Sequence, residues 1–167
     1  VDNFEKFYNY LLNCGYSDEL LKAYDFNRAD LFSPNNIIYS YTDERGHVVG
    51  FVGRKLKYDK QTEDKYVSQN NTKCFVFRKN KRLYNFHSIV KNTGPIYLVE
   101  GQGDAITAIS NGITNVVAIG STSITTEHLL LLKEYNQTNI ILCFDGDEPG
   151  QKKIAKLLSE KFTAHKE

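Results

Sequence analysis

Four carboxylates lie at or just after the ends of apolar runs, where a simple solvated surface would not put them. IYLVE (96–100) closes on Glu100, and Asp104 follows four residues later. NIILCFD (139–145) closes on Asp145, and Asp147 follows after Gly146. If 145–147 stays extended, period-two alternation turns both aspartates to one side. Carboxylates ~5 Å apart repel by about 3 kcal/mol at an effective dielectric near ~20, so a cluster of four needs a compensating cation. Hard oxygen ligands at strand ends suit Mg²⁺ or Mn²⁺, which keep waters and bridge to substrate phosphates. Glycines at 101, 103 and 146 let backbone and phosphate approach closely. The plainer reading is that such acids cap helices or sit in first turns beside the macrodipole. It accounts for Asp104 and Glu148. It does not suit Glu100 or Asp145, each at the end of an apolar strand.

Acids so placed need a scaffold that delivers them to one edge, and open α/β sheets bind ligands at the carboxyl ends of their strands. IYLVE, VVAI (116–119) and NIILCFD read as buried strands, with helices over DAITAISNG (104–112) and TTEHLLLLKEY (125–135) and another after Pro149. This alternation predicts right-handed βαβ units and a parallel sheet buried on both faces. Upstream the pattern differs. Phe4, Phe7, Tyr8, Leu11 and Leu12 follow helical spacing up to Gly15, and Ser17 caps a second short helix through Leu20, Leu21 and Tyr24. IIYSY (37–41), the turn DERG and HVVGFVGRKL (47–56) read as an antiparallel hairpin. Residues 57–72 read as a polar loop, and CFVF (74–77) as a short strand. The fold class is mixed α/β: a small α+β amino-terminal subdomain over 1–92, then a mainly parallel sheet over 93–167.

Composition sets the outer limits. The 167 residues are 41% hydrophobic and 25% charged, which excludes wholesale disorder. No apolar run reaches the ~20 residues that would span a bilayer, and no signal-peptide pattern opens the chain. Cys14, Cys74 and Cys143 are far apart and odd in number, so reduced cytoplasmic thiols are expected rather than a disulfide framework or a zinc site. His47, His87, His128 and His165 show no mutual ligand spacing. The net charge of +1 is uneven: residues 1–92 carry 15 Lys and Arg against 11 Asp and Glu, and 93–167 carry 6 against 9. Within 54–91 the balance is 11 basic to 3 acidic. A basic tract beside an acidic one suggests a polyanion held by the first and cations held by the second, with a merely solvated basic face as the alternative. Tyr39, Tyr41, Phe51, Tyr66, Phe75, Phe77 and Tyr84 lie among these basic residues. Such rings can stack on single-stranded bases, but alternation within strands assigns most of them to the core.

YLVEGQGDA (97–105) followed by LCFDGDEPGQ (142–151) resembles the TOPRIM domain of bacterial primases, topoisomerases and some nucleases. With IGSTSITTEHLLLL between them, and with YTDERGHVVGFVGRKL (41–56) and KYVSQNNTKCFVFRKNKRLYNF (65–86) upstream, the chain is most similar to the RNA-polymerase core of bacterial DnaG-type primases and their phage relatives. The resemblance implies that Glu100 is the catalytic glutamate, Asp104 its partner in the EG-x-x-D segment, and Asp145 and Asp147 the metal-binding DxD pair. It implies template and nucleotide handling by Arg54, Lys65 and Lys79, with Arg78 and Lys81 beside them. Val52, Asn80 and Asn85 stand where the family commonly has glycine. The zinc ribbon and the later D-P-D segment of the family do not occur in this sequence, and the chain, which lacks methionine, is expected to be a piece of something longer.

Expected from the resemblance is divalent-metal-dependent synthesis of short RNA primers on a single-stranded DNA template from ribonucleoside triphosphates. It implies a monomer, with a replicative helicase engaged through regions outside this chain and no membrane contact. A TOPRIM nuclease or topoisomerase, or a non-catalytic nucleic-acid-binding piece, is the alternative.

Overall fold

Alternating tyrosines build the first sheet. The computed structural model describes residues 31–69 and 77–145, with isolated positions 9, 12, 13, 15, 17, 18 and 152 besides. Strand β1 (Asn36–Thr42) pairs antiparallel with β2 (Val48–Lys55), in a register that sets Tyr39 opposite Val52 and Ile37 opposite Arg54. Tyr39, Tyr41 and Val52 share one face and are buried, while Phe51 is buried on the other. Val52, where the family commonly has glycine, is thus a packed core side chain. Asp43 closes the hairpin. Its carboxylate accepts the N–H groups of Arg45 (3.0 Å) and His47 (2.8 Å), while Gly46 takes a positive φ of 88°.

The polar stretch read as a loop contains a third strand, β3 (Tyr66–Ser68), antiparallel to β2 on the side away from β1. Three residues are too few to show alternation, and the strand forms because β2 offers an open edge. Strand CFVF lies outside the described residues except Phe77, whose ring packs over Gly50 so closely that a β-carbon there would collide with it. The expected amino-terminal helices and the helix after Pro149 also lie outside, single positions aside. Gly15 is described: it has φ 91° and donates its N–H to the Leu12 carbonyl, as a helix-stopping glycine does.

The second sheet is the predicted one. Strands β4 (Ile96–Val99), β5 (Val116–Ala118) and β6 (Ile140–Cys143) are parallel in the order β5-β4-β6, connected by α1 (Gln102–Ser110) and α2 (Thr126–Glu134). Ile96, Leu98, Val117 and Ile119 face one core with Leu132 of α2; Val99, Val116 and Ala118 face a second with Ala105 of α1. Strands β4 and β5 are therefore largely covered on both faces. Strand β6 is not: its residues alternate half-buried and exposed, with Ile141 38% accessible.

The chain divides into two compact units, Val1–Arg78 and Lys79–Glu167. Residues 79–92, which the sequence pattern assigns to the amino-terminal subdomain, pack in the second unit. Leu83, Phe86 and Ile89 are each at most 2% exposed and belong to the α2-side core. Tyr84 exchanges backbone hydrogen bonds with Ala118 (2.8 and 3.2 Å), which extends the sheet past β5 and covers that edge.

Candidate active site

Glu100 directly follows β4, and Asp145 follows β6 by two residues, so both lie at the carboxyl edge of adjacent parallel strands. The chain leaves β4 for β5 on one side and returns across it to β6 on the other. The crevice between β4 and β6 is thus the switch point at which open α/β sheets bind ligands. The Asp145 N–H donates to Glu100 Oε1 at 3.3 Å, and the Gly120 N–H, just past β5, donates to the Glu100 carbonyl at 2.9 Å. Glu100 therefore touches the ends of both neighbouring strands, one through its side chain and one through its backbone. Sequence reasoning did not single out Gly120; its signal is a glycine at the end of an apolar run, here with φ 58°.

Asp104 serves the loop that carries Glu100. Its Oδ2 accepts the N–H of Gly101, the N-cap residue of α1, at 3.0 Å, so an acid in the first turn reaches back to the helix start. A β-carbon at Gly101 would lie 2.9 Å from that oxygen, so the glycine lets the carboxylate come in. The plain capping reading of Asp104 is thus the one the geometry shows. Asp147 lies outside the described residues. Glu100 and Asp145 supply hard oxygen donors at one edge, which suits a divalent cation that keeps waters and takes further oxygens elsewhere. Among the described residues no three His, Cys, Asp or Glu side chains are grouped closely enough to hold a metal on their own.

The turn after β5 leads to a tightly capped helix. Thr125 Oγ1 accepts the His128 N–H and His128 Nδ1 accepts the Thr125 N–H, both at 3.2 Å, a reciprocal cap in which buried His128 serves α2. The Thr125 hydroxyl also donates to the Asn80 carbonyl (2.7 Å), fixing the short 3-10 turn Lys79–Lys81 against this helix start.

The basic residues fall in both units. In the first, the Arg54 guanidinium is hydrogen-bonded by the Tyr39 side chain, which raises its already high pKa, and Lys65 Nζ lies 5.6 Å from the Tyr66 ring centroid. Arg78 is exposed at the end of that unit. In the second, Lys79 is half-buried, and burial holds its ammonium below the usual lysine pKa. Lys81 pairs with Glu127 at 3.6 Å, both side chains well exposed. Of the seven aromatics, Tyr39, Tyr41, Phe51 and Phe77 are core residues, Tyr66 and Tyr84 are half-buried, and Phe75 lies outside the described residues.

Residues 2–90 match the family described as "DNA primase catalytic core, N-terminal domain", and residues 97–166 match the one described as "Toprim-like". The DNA primase of Legionella pneumophila is 38% identical over 131 residues, covering 77% of this chain and 22% of that protein. That of Lactococcus lactis is 35% identical over 135 residues, covering 79% and 21%. The chain thus spans about a fifth of the length of these relatives. Among solved structures, the zinc-binding and RNA polymerase domains of Aquifex aeolicus primase superpose with a TM-score of 0.69 at 29% identity, over 90% of this chain and 39% of that one. A DnaG primase catalytic domain bound to single-stranded DNA gives 0.60 at 31% identity, over 74% and 39%.

Proposed function

Since this chain belongs to the bacterial DnaG-type primase family, we propose that it forms part of a polymerase core that synthesises short RNA primers on single-stranded DNA. The observation that carries this is Glu100 and Asp145 side by side at the β4/β6 switch point, in a chain whose other half matches the primase catalytic core. In the reaction, a 3′-hydroxyl attacks the α-phosphate of a ribonucleoside triphosphate in line. A new P–O bond forms and the bond to pyrophosphate breaks. A divalent cation, Mg²⁺ or Mn²⁺, held by Glu100, Asp145 and Asp147, would supply charge stabilisation at the attacking oxygen and the leaving phosphates.

The chain's own residues position and orient. Asp104 holds the loop that presents Glu100 and acts through it. Arg54, Lys65, Arg78, Lys79 and Lys81 hold template or nucleotide phosphates, contacts that bring affinity without reading bases. Positioning and electrostatics dominate phosphoryl transfer, so no side chain need bond covalently to substrate. The test supplies labelled ribonucleotides and a single-stranded template to the full-length parent. Primers are expected from the wild type, with at least a ~100-fold loss in Glu100→Gln and Asp145→Asn, the scale of removing a main electrostatic contact. Cleavage of the DNA without primer formation would instead identify a TOPRIM nuclease. Wild-type primer yield from both variants would remove the acidic pair from the mechanism.

A further inference from the structure

The first unit carries a cleft of about 520 Å³ on the face of its sheet opposite Arg54, within the size range of small-molecule sites. Its walls come from the lead into β1 (Ser33, Asn35), from Asn36 on β1, from the last residue of β2 (Lys55) and from the turn that follows (Lys57, Glu63). Val67 is the one apolar side chain among the lining residues, so an apolar ligand would find little to bury against. The donors are two ammonium groups, a hydroxyl and two amides, of which the Asn36 Nδ2 also donates to the Leu31 carbonyl at 3.0 Å.

The single carboxylate in the cleft is already engaged. Glu63 Oε1 pairs with Lys55 Nζ at 3.5 Å, and Glu63 Oε2 accepts the Asp59 N–H at 3.1 Å. Asp59 in turn accepts the Gln61 N–H, and its carbonyl takes the N–H of Glu63, so the wall is built by its own hydrogen bonds. Lys57 makes no ion pair among the described residues. Lys55 ends β2 and Lys57 follows two residues later, and their charge exceeds that of Glu63 by one. The Lys55–Glu63 pair is 26% and 46% exposed, and such pairs are weak enough for an arriving anion to displace.

We infer that this cleft is a phosphate-binding site, in which Lys55 and Lys57 hold the anion, Asn35, Asn36 and Ser33 orient it, and Glu63 competes for Lys55 while the site is empty. The phosphate belongs either to a nucleic-acid strand or to a free nucleotide. These two sources rest on the polymerase reading; the phosphate chemistry does not.

The experiment titrates the full chain with inorganic triphosphate in EDTA, which silences metal-dependent binding elsewhere, and follows backbone amides by NMR. Saturable shifts confined to Asn35, Asn36 and the 55–63 segment are expected, with affinity falling as salt rises. Lys55→Ala/Lys57→Ala should weaken binding about tenfold and Glu63→Gln should tighten it about two- to fivefold, the scale of exposed charge pairs. The opposite signs separate a site from general loss of structure. Unchanged affinity in both variants, or shifts that miss this cleft, would overturn the inference. Displacement by (dT)12 assigns the phosphate to a strand, and displacement by ATP assigns it to a nucleotide; displacement by neither overturns the biological claim. Binding in EDTA should be the same in Glu100→Gln, so failure here and failure of primer synthesis remain distinct.

Discussion

Asn85 shows how a substitution in a motif can be read from backbone geometry. The family commonly has glycine at this position, and here the residue sits at φ 63°, in the left-handed region where glycine has no steric penalty. Asparagine is the next most tolerant residue there, and its Nδ2 donates to the Val116 carbonyl at 2.8 Å, tying the segment before the sheet to β5. Two losses of different size follow. Asn85→Ala keeps the strain and loses the hydrogen bond, and is expected to cost about 2–3 kcal/mol in urea unfolding. Asn85→Gly loses the bond but relieves the backbone, and is expected to cost under about 1 kcal/mol. Equal losses in the two variants would show that the left-handed geometry contributes nothing. Lys79 is a second case: its type was legible as basic, but its half-buried state and lowered pKa depend on packing that no spacing rule reveals.

At the scale of elements, the β1–β2 hairpin makes a pH-dependent claim. Burial alone would raise the Asp43 carboxyl. Hydrogen bonds from the His47 backbone and ring and from the Arg45 N–H outweigh it and hold the group below its ordinary 3.8. A depressed carboxylate contributes stability that is present above its unfolded pKa and is lost as pH falls through the folded one. Asp43→Asn is therefore expected to unfold about 1–2 kcal/mol more easily at pH 7, with the difference shrinking below pH ~3.8. Urea melts at pH 7 and at a series of pH values below ~3.8 check it; a gap that does not shrink across that series would locate the effect elsewhere. The hairpin was legible because its β-branched and aromatic runs span most of two strands, and the three parallel strands because each lies in a continuous apolar run between helical segments. Strand β3 was not, since its three residues lie in a polar stretch with no apolar run to mark them, and its place depends on the free edge of β2. The meeting of Glu100 with Asp145 followed from strand-end logic. The bond from Gly120 to the Glu100 backbone did not, because a main-chain donor leaves no side chain to recognise.

For the whole chain, sequence and packing draw different borders. The two family matches part between residues 90 and 97, while the compact units part between Arg78 and Lys79. The segment between these borders brings Leu83, Phe86 and Ile89 into the core of the Toprim-like unit. At about 1.5–3 kcal/mol each, these three side chains amount to about 5–9 kcal/mol, comparable with the ~5–15 kcal/mol that holds a typical domain folded. A polypeptide of residues 79–167 is expected to melt cooperatively by circular dichroism, whereas one of residues 93–167 is expected to show no cooperative transition. Equal melting of both would mean that the strap is dispensable.

The two attachments of Glu100 have a further consequence for how loss of function is to be judged. The bond from Gly120 ends on a main-chain oxygen, which every residue placed at position 100 would still possess. The contact with the Asp145 N–H depends on the side chain, and a glutamine can accept it through its amide oxygen. Removing the negative charge at this position thus leaves the shape of the strand end in place. An inactive Glu100→Gln protein would be silent chemically while remaining intact architecturally, which makes it a usable trap for substrates that the active protein would consume.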